Sequence, residues 1–105
     1  GVHMLKRWKK RPVHKLDSFR HILGKYPDLP FVMLGDTASK DADYYVQMAK
    51  EFNGRIQAIY IRQTKNNRNA RRVCKLIRAN SEINAVIVKS SKEIKEHARK
   101  IGLIK

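Results

Sequence analysis

A lone cysteine, Cys74, leaves the chain with no internal disulfide to staple it, which agrees with a reducing compartment. No apolar run approaches the roughly 20 residues of a membrane span, and no signal-peptide pattern opens the sequence. The expectation is a soluble, cytoplasmic protein. Internal repeats and low-complexity tracts are also missing, so one small domain must supply whatever function there is. The four histidines show no metal-ligand spacing among themselves, which argues against zinc.

Acid is scarce as well. Nine Asp and Glu stand against 24 Lys and Arg, giving a net charge of +15 on 105 residues and a pI near 10.4. A field of that size attracts polyanions, and nucleic acid and anionic membrane surfaces both qualify as partners. The charge is concentrated in two places. Lys6, Arg7, Lys9, Lys10, Arg11 and Lys15 crowd the start, and Arg62, Lys65, Arg68, Arg71, Arg72, Lys75 and Arg78 form a block with no acid among them.

What is present is a regular alternation of patterns. Residues 1–4 look like a cloning remnant, and residues 1–13 together read as remnant and basic lead-in, with Trp8 as either an interface anchor or a packing group. From Lys15, Leu16, Phe19, Ile22, Leu23 and Tyr26 recur at helical spacing until Pro27 and Pro30 end the helix. Phe31–Leu34 is a strand, Asp41–Phe52 a helix stopped by Asn53-Gly54, and Ile56–Arg62 a strand apolar on both faces. Arg68–Asn80 is a helix that buries Ala70, Val73, Cys74, Leu76 and Ile77, and presents Arg68, Arg71, Arg72, Lys75 and Arg78 as an anion-binding ridge. Ala85–Val88 is the third strand, and Ser90 with Glu93 is a capping box opening the last helix, which Gly102 closes. The order αβαβαβα predicts an α/β three-layer sandwich around a short parallel sheet of about three strands.

The chain is organised around Pro30–Asp41. A buried strand ends in Gly35-Asp36, at the carboxyl edge where α/β folds place ligands, and Asp41 opens the next helix five residues on. Two readings remain open for this pair: loop and helix caps, or ligands of one hard cation such as Mg²⁺.

Several segments together carry a resemblance. His14-Lys15-Leu16, Tyr26-Pro27-Asp28-Leu29-Pro30-Phe31-Val32, Gly35-Asp36 through Asp41, Gly54-Arg55 and Ala58-Ile59-Tyr60-Ile61-Arg62 resemble the C-terminal half of the catalytic domain of the actin-patch-associated phosphatidate phosphatases, of the haloacid dehalogenase superfamily. The resemblance implies a Rossmannoid fold over residues 14–105 and hydrolysis of a phosphate monoester in lipid metabolism. It implies Mg²⁺ as cofactor, with Asp36 as a ligand and Asp41 supporting the metal directly or through water. It makes Lys15 the catalytic lysine that steadies the phosphoryl charge. Thr37-Ala38-Ser39 and Ala42 depart from the family's pattern, and the sequence contains no Asp-x-Asp-x-Thr nucleophile motif. The chain by itself is therefore expected to be inactive, a segment of a longer enzyme or a remnant of one. On that reading the edge of Phe31–Leu34 lies open and invites a second copy to pair. The competing reading is a non-catalytic basic module for nucleic acid or anionic membrane.

Overall fold

The computed structural model describes residues 3–5, 12–65 and 68–105, and side chains for 16–65 and 69–105. Trp8 and the basic cluster Lys6–Arg11 lie outside the described residues, as do the side chains of His14, Lys15 and Arg68.

Eight elements alternate without exception: β1 (His3–Leu5), α1 (Pro12–Lys25), β2 (Phe31–Asp36), α2 (Asp41–Glu51), β3 (Ile56–Arg62), α3 (Arg68–Ala79), β4 (Ala85–Val88) and α4 (Ser91–Lys100). The four strands form one parallel sheet in the order β1-β2-β3-β4. All connections advance across the sheet in one direction, and right-handed crossovers then place α1, α2 and α3 on the same face. The packing agrees. Phe19, Leu23, Ala42, Tyr45, Met48 and Val73 from these helices bury Phe31, Met33, Ile59 and Ile61 of the strands. Alternate strand residues Val32, Ala58, Tyr60 and Val88 face the other way and meet Ile94, Ile101 and Leu103 of α4 and its tail. This is the expected three-layer α/β arrangement. Strands buried on both faces are why Ile56–Arg62 is apolar without alternation.

The start of the chain differs from expectation. His3–Leu5, read as remnant and lead-in, pairs in register with Phe31–Met33 and adds a fourth strand. The edge of β2 that was expected to be open is therefore covered over those residues, which removes the basis for pairing with a second copy there. Pro12 does not keep the helix away but opens it, because the first helical position needs no amide hydrogen and favours proline's fixed φ. Of the α1 stripe, Phe19 and Leu23 are buried, whereas Tyr26 is 44% exposed beyond the last turn. Gly54 and Gly102 take φ of +82° and +81° after α2 and α4, the left-handed stops that the sequence implied. Ser90 makes no side-chain cap. Glu93 instead accepts from the Lys89 amide, one residue earlier than a capping box requires.

Three arginines tie the helical layer together. Arg20 of α1 forks onto Glu51 of α2 (2.9 and 2.7 Å) and holds that carboxyl well below the ordinary range, down to about 2, chiefly by hydrogen bonding. Arg72 of α3 is bidentate to Asp43 of α2 (2.8 and 2.7 Å). Arg55 reaches back across the sheet's amino edge to the carbonyls of Leu23, Tyr26 and Leu29, at 3.1, 2.5 and 2.9 Å, and lies over the Phe31 ring. It satisfies the Leu23 carbonyl in the last turn of α1 and two carbonyls of the segment that follows it. Under α4 the Tyr60 hydroxyl and His97 Nδ1 share a hydrogen bond of 2.8 Å. Burial, with Lys100 adding to it, pushes His97 below the ordinary imidazole range.

Two outcomes follow. Arg55→Ala lowers unfolding stability by about 2 kcal/mol in urea titrations, because three carbonyls lose a charged donor, and Arg55→Lys does not restore the fork. For His97 the unfolded chain takes up a proton near pH 6.5 that the folded chain resists. Stability is full above that pH and declines as pH falls below it. His97→Asn removes that part of the slope between pH 7.5 and 5.5, and an unchanged slope would dismiss His97 as its source.

Candidate functional site

The carboxyl edge of the sheet is built around the end of β2. Gly35 has no side chain, and α2 exploits the space. A Cβ added there would lie 2.7 Å from Asp41 Cβ, 2.9 Å from Asp41 Oδ2 and 2.9 Å from Tyr45 Cε2. Asp41 is 1% exposed, and its Oδ2 accepts from the Asp36 amide at 3.4 Å. One helical turn on, the buried Tyr45 donates its hydroxyl to the Leu34 carbonyl at 2.7 Å. Strand end and helix start are thus clasped by two side chains on the same face of α2.

Asp36 ends β2, half-buried, and its Oδ1 accepts from the amides of Ala38 and Ser39 at 3.0 and 3.1 Å. Ser39 Oγ in turn accepts from the Asp41 amide at 3.2 Å. Neither acid caps α2 in the strict sense: Lys40 holds the N-cap position without a side-chain bond. Both acids fasten the loop. Thr37, fully buried, donates its amide to the Arg62 carbonyl, and its Oγ1 accepts from the Thr64 amide at 3.0 Å and lies 3.3 Å from Thr64 Oγ1. The loop after β2 is therefore moored to the segment after β3. Among the described residues no buried side-chain nitrogen or oxygen lacks a partner.

The predicted pair Asp36 and Asp41 is brought together on one loop. Lys15 belongs to the first turns of α1. Helices that connect parallel strands run back against them, so α1 begins at the carboxyl edge, and residue 15 is placed on the same edge as Asp36. The ridge divides. Arg72 is committed to Asp43, whereas Arg71, Lys75 and Arg78 are exposed and border a separate groove between α3 and β4. Cys74, expected in the core, is half-buried in the wall of that groove. Sequence reasoning missed Gly35, Thr37, Ser39 and Thr64. A Gly directly before the strand-end acid, and hydroxyls at 37, 39 and 64, were the available signals.

Two carboxylates at one loop match in kind the donors that Mg²⁺ takes from proteins, since this ion keeps several waters and binds through one or two carboxylates plus substrate phosphate. No third His, Cys, Asp or Glu joins them among the described residues. Remaining positions on such an ion would fall to water and substrate.

An open parallel α/β sheet with helices on both faces defines the class of Rossmann-like three-layer sandwiches. The profile of the phosphatidate phosphatase APP1 catalytic domain matches residues 2–63. That is more than half of the chain, which belongs to this family. The match runs from β1 to just past β3, takes in Lys15, Asp36 and Asp41, and stops before α3. It begins well ahead of residue 14, where the sequence resemblance was placed. No curated protein and no solved structure matches the chain.

The clasp has a direct test. Gly35→Ala must push Tyr45 or Asp41 out of a buried position, and overpacking of this kind costs about 2 kcal/mol. Urea unfolding measures the loss. A variant as stable as the parent would show that strand and helix are not in contact through Gly35.

Proposed function

We propose that this chain is the metal-holding part of a phosphatidate phosphatase of the haloacid dehalogenase type, acting on phosphate monoesters of lipids. The observation that carries this reading is the Asp36–Asp41 loop at the carboxyl edge of β2, inside the segment that matches the family. Asp36, the less buried acid, would be the direct Mg²⁺ ligand. Asp41, almost wholly enclosed, fixes the Asp36 amide and would support the ion directly or through water. Bound Mg²⁺ supplies positive charge across the phosphoryl oxygens. The chain's own residues prepare the place. The amides of Ala38 and Ser39 orient the Asp36 carboxylate, the Thr37–Thr64 bond steadies the loop, and Lys15, at the same edge, is the cation that meets the phosphoryl charge.

The absence of Asp-x-Asp-x-Thr from the sequence leaves no nucleophile for an aspartyl-phosphate route. The chain by itself binds without turnover. A net charge of +15 draws it to anionic bilayers, where its lipid substrate resides. The non-catalytic alternative, a basic module for nucleic acid, keeps the loop as a structural clasp and predicts no cation response there.

Mn²⁺, which substitutes for Mg²⁺ at carboxylate sites and broadens nearby NMR signals, distinguishes the two. Amide resonances of residues 36–41 broaden on adding Mn²⁺, excess Mg²⁺ reverses the effect, and Asp36→Asn abolishes it while the remainder of the spectrum is kept. Loss of signal spread evenly over the chain, or unaffected by Asp36→Asn, refutes the metal role. Phosphatidate incubated with the chain and Mg²⁺ releases no inorganic phosphate above the protein-free rate.

A further inference from the structure

Mostly beyond the segment that matches the family, α3 and β4 border an open groove of about 570 Å³. Ala70, Cys74 and Ile87 give it apolar walls, Gln63 adds one polar group, and Arg71, Lys75 and Arg78 make a cationic rim. β4 is the last strand of the sheet order, and among the described residues it pairs with β3 alone. The Asn84 and Val88 carbonyls accept from Ile59 and Gln63, on the inner side. Alternation then turns the Ala85 carbonyl and both backbone groups of Ile87 outward, toward the groove side. This edge carries no charge and no proline within Ala85–Val88, so nothing in the strand discourages pairing except its shortness.

We infer that the groove between α3 and the outer edge of β4 binds an acidic peptide in extended conformation, which adds to the sheet as a fifth strand and directs alternate carboxylates at Arg71, Lys75 and Arg78. The spacing suits such a ligand. Arg71, Lys75 and Arg78 follow one another at i, i+4 and i+7 along one side of α3, rising about 6 and 4.5 Å, and alternate side chains of an extended chain repeat at about 6.6 Å. Main-chain hydrogen bonds supply attachment and the arginines and lysine supply selectivity, as in other strand-addition sites. Arg72 takes no part because Asp43 holds it.

Other occupants fit less well. A second copy of the chain would bring the same three cations against each other across the joined edges. A bilayer cannot satisfy the outward amide of Ile87 and the carbonyls of Ala85 and Ile87, and the exposed large apolar residues among the described ones, Tyr26 and Ile104, are not among the groove residues. A single nucleic-acid strand would look for aromatic stacking platforms, and the groove has none.

Fluorescence anisotropy with a labelled octapeptide of alternating Glu and Val tests the inference. Three comparisons decide it. The same peptide N-methylated at alternate residues, with equal charge but blocked strand pairing, binds at least tenfold more weakly. Arg71→Glu combined with Lys75→Glu, two exposed positions, weakens the parent peptide at least tenfold while circular dichroism is unchanged. Saturating peptide slows hydrogen exchange of the Ile87 amide at least tenfold. Equal binding of the N-methylated peptide, or an Ile87 amide that exchanges as before, overturns the proposal in favour of diffuse attraction of charge. Full displacement by an oligothymidylate or by phosphatidylserine vesicles, with Ile87 unprotected, overturns it in favour of those partners. Metal binding at Asp36 is independent of all three readouts, so failure here leaves the phosphatase reading untouched, and the reverse holds too.

Discussion

The missing side chain at Gly35 is the constraint on which the candidate site depends. Because nothing projects from that position, Asp41 and Tyr45 close onto the strand, and the helix begins where it does. The Asp36 amide then finds a carboxylate instead of water, and its own carboxylate is left to organise the turn. Two acids that repel each other in solution are kept at one edge by backbone amides that each of them accepts from. The arrangement also explains how Thr37-Ala38-Ser39 can serve in place of a different loop sequence. Thr37 is used inward, against Thr64, and Ser39 is used along the chain, against the helix start.

The high positive charge has a structural share. Arg20 and Arg72 join neighbouring helices through carboxylates, and Arg55 binds three carbonyls in the last turn of α1 and the segment after it. These cations serve the fold. Those left over, such as Arg71, Lys75 and Arg78, lie on one side of α3, where no acid of the same helix offsets them. Net charge alone gives no such division, and a patch computed from composition would mix the two groups.

How far the sequence alone reached follows from which forces are local. β3 at Ile56–Arg62, β4 at Ala85–Val88 and the start of α2 at Asp41 were legible because hydrophobic period and acids at a helix start are properties of a few adjacent residues. That Asp36 and Asp41 share one loop was legible from their spacing, whereas the bond between them, from the Asp36 amide to the Asp41 carboxylate, was not. β1 was not, since three residues become a strand only when β2 offers its edge. Gly35 was read as part of a strand end, and its real contact lies across a turn with a helix. Thr37 with Thr64, and Arg55 with α1 and the segment after it, connect positions 26 residues apart or more, and no short window of sequence contains both partners. Glu93 shows the same limit at short range: the helix start was right, but the capping box was not formed, since Ser90 makes no side-chain cap and Glu93 serves the amide one residue earlier.

Strand order identical to chain order has a consequence for how the molecule comes into being. Each βα unit docks on the unit made just before it, so no strand must wait for a distant segment to be synthesised or threaded between others already in place. Loop closures stay short and similar in length, and entropy is repaid one unit at a time. The sheet can grow outward from its amino-terminal side as the chain leaves the ribosome. α4 follows β4, and until it arrives the face bearing Val32, Ala58 and Tyr60 is without the helix that packs on it. The two faces of the sheet are therefore closed at different times, the α1–α3 face unit by unit and the other face in a single step when α4 docks.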